Sequence, residues 1–238
     1  MFCRVKPINA NIVIERVSLT ILKMYRLIFL LFLSNSIFAQ QTKTIDLYAW
    51  HAKGKLSIIH REVERIDEAG NRFIRLSEKG GEGLVWLPLN DFKNGVIEIE
   101  MRGKDVFQRS FIGIAFHALN DSTYDAVYCR PFNFFAKDSV RKIHAIQYIS
   151  HPVFTWRKLR EERNGVFEKE IIAPPDPNGW FTVKLVVNNK SIQAFINQSK
   201  NPSLVVEKIS SATSGRIGIF VGDGSGGDFK NIRVSYSK

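Results

Sequence analysis

NGVIEIEMR, residues 94–102, alternates without a break. Ile97, Ile99 and Met101 project to one side of an extended chain, and Glu98, Glu100 and Arg102 project to the other. That pattern belongs to a strand with one dry face and one wet face, and Asn94-Gly95 supplies a turn before it. Working outward, residues 110–118 read as an apolar strand in which Gly113 and Ala115 stand two positions apart. Small side chains there allow another layer, or a ligand, to approach closely. Upstream, residues 56–66 and 72–77 flank a hairpin over 67–71 marked by Gly70-Asn71. A glycine-rich break at 80–83 precedes a strand over 84–87.

Downstream the same rhythm continues. Residues 180–187 and 191–197 flank an Asn188-Asn189-Lys190 turn, 204–206 form a short strand, and 216–221 and 229–236 close as a pair around 222–227. Residues 154–163 are the single helical stretch, ended by Asn164-Gly165. About a dozen short strands at regular spacing, with no internal repeat, predict one all-β antiparallel sandwich over residues 40–238.

Residues 1–39 read differently. Arg26, an apolar run over 27–33 and a small-residue end at Ala39 describe a secretory signal peptide, and seven apolar residues are too few to span a bilayer. Met24 stands where such a signal begins, so residues 1–23 read as an upstream extension. The expectation is export, to the periplasm, the cell envelope or the extracellular space, with no transmembrane span after cleavage. The formal net charge is +11; residues 1–39 hold five of the 34 basic residues and one of the 23 acidic ones, which leaves +7. That balance suits an anionic polysaccharide or envelope surface. The basic residues are scattered rather than clustered, which argues against nucleic acid. Of the two cysteines only Cys129 lies beyond residue 39, so no internal disulfide can form and the core must carry the fold.

The richest chemistry lies between Tyr124 and Arg160. Two strand-like segments, 124–131 and 143–150, are joined by a polar turn and followed by an aromatic, basic tail. Polar groups are costly to bury without partners, so this density predicts a polar cleft with aromatic walls. Its ligand-binding candidates are Tyr128, Arg130, Asn133, His144, Tyr148, Trp156 and Arg160. Alternation places His144 and Tyr148 on one face with Ile146, and Gln147 on the other. His144 is then either a general base or a hydrogen-bonded member of a polar layer. Arg130 and Arg160 either bind carboxylate, sulfate or sugar hydroxyls, or pin loops through backbone carbonyls. Glu98 and Glu100, two residues apart on one strand face, are further catalytic candidates, or else part of a solvated charged row. The five histidines show no metal-ligand spacing, and no metal or cofactor site is predicted from them.

Residues 94–98 and 111–116, then 180–187, 194–197, 215–220 and 229–234, resemble strands of the concanavalin A-like lectin/glucanase superfamily. The closing strands are similar to laminin-G-like and 3-keto-disaccharide hydrolase domains. The resemblance implies a jelly roll of two curved antiparallel sheets, glycans bound on the concave face and, in many members, a structural calcium; the oxygens of residues 222–228 are the segment that could serve it. Family 16 glycoside hydrolases in this superfamily use Glu-x-Asp-x-x-Glu, against which Glu98-Ile99-Glu100-Met101-Arg102-Gly103 lacks the third acid. Three functions follow as expectations: an exported saccharide-binding protein, a glycoside hydrolase, or a non-catalytic envelope protein-interaction domain.

Overall fold

A computed structural model describes residues 42–237; the segment read as an export signal lies outside the described residues. In chain order the strands are β1 (Thr42–Ile45), β2 (Ser57–Ile59), β3 (Val63–Glu68), β4 (Asn71–Leu76) and β5 (Gly83–Trp86). Then come β6 (Gly95–Arg102), β7 (Ile112–Ala118), β8 (Tyr124–Cys129), β9 (Ile146–His151) and β10 (Glu168–Lys169). The chain ends with β11 (Trp180–Val187), β12 (Ser191–Ile196), β13 (Leu204–Glu207), β14 (Arg216–Val221) and β15 (Gly227–Tyr236). Three short helices interrupt them: α1 (Leu47–Ala52), α2 (Ser139–Lys142) and α3 (Trp156–Glu162).

The strands form two antiparallel sheets. One runs β13-β12-β11-β6-β15-β4-β3, with β1 also on β15; the other runs β10-β9-β8-β7-β14-β5-β2. Strand β6 lies in the first sheet as its alternation requires: Ile97, Ile99 and Met101 are buried, while Glu98 and Glu100 sit opposite Arg233 and Lys230 of β15. That outer face is a charged row at the solvent. The centre of the second sheet is buried on both faces, every residue of β7 and β8 included. Strands covered on both sides lose their alternation, which is why residues 124–129 read so irregularly.

Four expectations are corrected. Residues 56–66 are not one strand: the backbone turns at His60 (φ 55°), sending β2 to one sheet and β3 to the other. Strands β14 and β15, expected as a pair, also belong to different sheets. The predicted helix is present as α3, capped by Thr155, but α1 and α2 were not anticipated. Each of those is one short turn of helix started by an aspartate, Asp46 or Asp138, whose carboxylate accepts a backbone N–H. The β3–β4 hairpin turns on Ala69-Gly70, both at positive φ, one residue earlier than the sequence suggests.

Candidate functional site

The site is built on one row of residues across the second sheet. Pairing registers place Leu84, Phe220, Gly113, Tyr128, Gln147 and Glu168 side by side on adjacent strands, so all six share a face. Gly113 is the low point of the row. A Cβ there would run into Val127 O and come within 2.5 Å of Tyr128 Cα. With that space open, the Tyr128 and Phe220 rings close over the glycine, 5.3 Å apart.

Tyr128 Oη donates to Gln147 Oε1 (2.8 Å) and accepts from Arg130 Nη2 (2.8 Å). Burial pushes the Tyr128 phenol up to about 12, so it stays a neutral donor. Arg130, only 4% exposed, also donates to Gln147 Oε1 and, through Nη1, to His144 O (2.7 Å). Its guanidinium lies over the Tyr128 and Phe111 rings. Of the two roles open to Arg130, the geometry is that of a pin, holding the strand connection by its backbone.

That connection carries the next layer. A 3₁₀ turn over Pro131–Asn133, followed by α2, returns the chain over the sheet. Asn133 Nδ2 donates to His144 O (3.4 Å), and Arg141 Nε donates to Asn133 Oδ1 (3.2 Å). Strand β10 then places Glu168 beside Gln147, where its carboxylate is 2% exposed. Arg160 grips it with Nε (3.2 Å) and Nη2 (2.9 Å), His144 Nδ1 lies 2.7 Å away, and Arg130 Nη1 lies at 3.7 Å. The His144 contact is close but bent, the carboxylate lying off the line of the N–H bond.

Above this floor opens a cleft of about 390 Å³. Phe107, Phe111, Phe132, Trp156 and Phe220 give it apolar walls, while Tyr128, Arg130, Asn133, Arg141, His144 and Arg160 give it polar ones. Six of the seven binding candidates thus line one cleft. Tyr148 does not. It pairs with Val127 on the opposite face, is fully buried, and donates to Asp125 Oδ1 (3.1 Å). The alternation counted from His144 fails because β9 starts only at Ile146; Gln147 is the cleft-facing residue. Glu98 and Glu100 are also elsewhere, on the outer face of the other sheet, bonded to Arg233 (3.2 Å) and to Lys230 (3.4 Å) with Asn231 (2.7 Å). Sequence reasoning missed Glu168, Arg141 and Phe107. The one available hint for Glu168 was two arginines, 130 and 160, in need of an acid.

His144 is the group with chemical potential. Burial lowers its pKa, Arg160 and Arg130 push the same way, and Glu168 opposes them. The imidazole is therefore neutral at neutral pH. A carboxylate can only accept, so Glu168 favours the tautomer with its proton on Nδ1, which leaves the Nε2 lone pair, without a partner among the described residues, as a base.

A second cluster closes the cleft at Gly222 and Asp223. Arg61 donates to His60 O (2.6 Å), Gly81 O (2.7 Å), Gly222 O (2.9 Å) and Ser225 O (3.2 Å). Burial pushes the pKa of its guanidinium down, and the carboxylates of Asp223 and Glu82 oppose that shift. Two of the loop oxygens to which the sequence could assign a calcium, Gly222 O and Ser225 O, are therefore taken by a guanidinium. Among the described residues no group of three or more His, Cys, Asp or Glu could hold a metal.

No family model matches this chain, and no curated protein does. Solved structures do match. The VIP36 exoplasmic/lumenal domain in its Ca²⁺/Man3GlcNAc-bound form aligns with TM-score 0.54 at 11% identity, over 84% of this chain and 91% of that one. The carbohydrate-binding module CBM66 from Bacillus subtilis aligns with TM-score 0.52 at 13% identity, over 76% and 96%. A native glycosidic hydrolase aligns with TM-score 0.50 at 11% identity, over 82% and 96%. The fold is the concanavalin A-like lectin/glucanase fold. At these identities the likeness is one of architecture, so any role for this concanavalin A-like cleft rests on its own residues.

Proposed function

We propose that this chain is an exported protein that binds a saccharide in the cleft on the second sheet. The observation that carries the reading is the cleft itself, where aromatic walls stand over polar groups already fixed by bonds to one another. Sugars need that combination, an apolar face to stack on and immobile donors and acceptors for hydroxyls. Two of the structures that share this architecture are a carbohydrate-binding module and a lumenal domain bound to Man3GlcNAc, which supports the class of ligand. The export signal read over residues 1–39 supports a periplasmic, envelope-associated or extracellular location. No helix among the described residues is long and apolar enough to cross a membrane.

The His144–Glu168 pair favours a second reading, a hydrolase acting on glycosidic bonds, because a neutral imidazole with a free Nε2 can take a proton from a bound hydroxyl or water. A glycan array on the purified protein tests binding, and chromatography of any hit after incubation tests turnover. A blank array would remove the saccharide reading. Binding without product would remove the hydrolase.

A further inference from the structure

Two arginines of the cleft are built alike. Arg141 donates from Nε to Asn133 Oδ1 (3.2 Å) and from Nη2 to Phe132 O (2.8 Å), and its guanidinium lies 4.8 Å over the Phe107 ring. Arg160 donates from Nε and Nη2 to Glu168 and lies 5.2 Å over the Trp156 ring. In each, one edge is bonded to the protein and one face rests on an aromatic ring, so the group is already held. Nη1 of each has no bond among the described residues. Arg130, by contrast, commits both terminal nitrogens internally. Phe107 is 58% exposed and Trp156 40%, so both stacked pairs reach the surface of the cleft.

The charge around them is unbalanced. Arg130 and Arg160 share the single carboxylate of Glu168, and Arg141 has no acidic partner among the described residues. The other carboxylates of the cleft are engaged elsewhere: Glu82 by Tyr124 and His151, Asp223 by the Gly81 N–H and the field of Arg61. A guanidinium immobilised before binding, with a free N–H pair and, at Arg141, no acidic partner among the described residues, has lost its rotamer freedom in advance and favours a two-oxygen anion.

We infer that Arg141 and Arg160 form a subsite for an acidic substituent of the saccharide, a carboxylate or a sulfate, with Phe107 and Trp156 as the flanking apolar faces. The inference rests on the saccharide reading above. It is tested by calorimetric titration of the full chain with a short oligogalacturonate, its carboxyl-reduced neutral counterpart and a sulfated oligosaccharide of equal length. At least one acidic ligand should bind about tenfold or more tightly than the neutral one, and the tighter of the two identifies the substituent. Arg141→Gln should remove most of that preference, weakening the acidic ligand about tenfold more than it weakens the neutral one. This variant strands no buried charge, because Asn133 and Phe132 O are neutral partners. Trp156→Ala should weaken acidic and neutral ligands alike. Equal affinity for acidic and neutral ligands, or a preference that survives both Arg141→Gln and Arg160→Lys, overturns the subsite and leaves saccharide binding standing. Failure of all three ligands together with a blank glycan array overturns both.

Discussion

His144 Nδ1 lies 2.7 Å from Glu168 Oε2, although 24 residues and a helix separate the two in the chain. The carboxylate is shared with Arg160 and lies near Arg130, so the imidazole meets one anion and two cations at once. Protonating it would add a third positive charge to a buried cluster.

That arrangement sets a pH dependence. The folded pKa of His144 lies below the ordinary 6.5, chiefly through burial. Between 6.5 and the lower folded value the unfolded chain takes up a proton that the folded chain refuses, so this group's contribution is complete above 6.5 and is lost as pH falls below it. Denaturant titrations at about pH 7.5 and about pH 5.5 should show a drop in stability, and His144→Gln should make that drop smaller. An unchanged drop in the variant would mean other groups set the slope.

Arg130→Ala is expected to be a stability mutation. It leaves Tyr128 Oη, Gln147 Oε1 and His144 O short of a donor in a buried layer, at a cost of about 2–4 kcal/mol. Trp156→Ala should shift stability by no more than about 1 kcal/mol, since the residue is 40% exposed and its ring carries arginine side chains rather than core residues. Equilibrium unfolding of the two variants side by side checks this. An Arg130→Ala protein as stable as its parent would mean that the guanidinium is free to serve a ligand.

Gly113→Ala should damage the floor of the cleft without removing any polar side chain. The added methyl meets Val127 O and Tyr128, so one strand or the ring must move, at about 1–3 kcal/mol. Tyrosine near-ultraviolet circular dichroism should change with it. A variant with parental stability and spectrum would show that the Tyr128–Phe220 closure does not depend on this glycine.

The wet face of β6 gives a negative control. Glu98→Gln with Glu100→Gln removes partly exposed ion pairs worth about 0–1 kcal/mol each, and saccharide binding or turnover should be unaffected. Loss of either would bring the two acids back as the working pair.

Legibility followed exposure. Strands β6, β11 and β12 could be read nearly to the residue because solvent enforces an alternation on one face. Across β7, β8 and β9 both faces are dry, so nothing local told Tyr148 from Gln147, and one step along a strand reverses the side. The polar density between Tyr124 and Arg160 did mark the cleft, since buried arginine, asparagine and histidine need one another. Glu168 was invisible: its partners come from the residue after β8, from α3 and from the chain just ahead of β9, and Phe167-Glu168-Lys169-Glu170 reads like any charged edge. The switch of sheets at His60 was hidden for a related reason, a single positive φ in a residue that only sometimes adopts it.

Arg61 gathers four backbone carbonyls where loops 80–83 and 222–225 meet, and Gly83 lacks the Cβ that would collide with its side chain. An ion in solution would reach those oxygens by a binding equilibrium, and dilution or a chelator would draw it away. A cation tethered to the main chain has no such equilibrium. Closing that wall of the cleft is a unimolecular event, completed by folding itself and independent of what any compartment supplies.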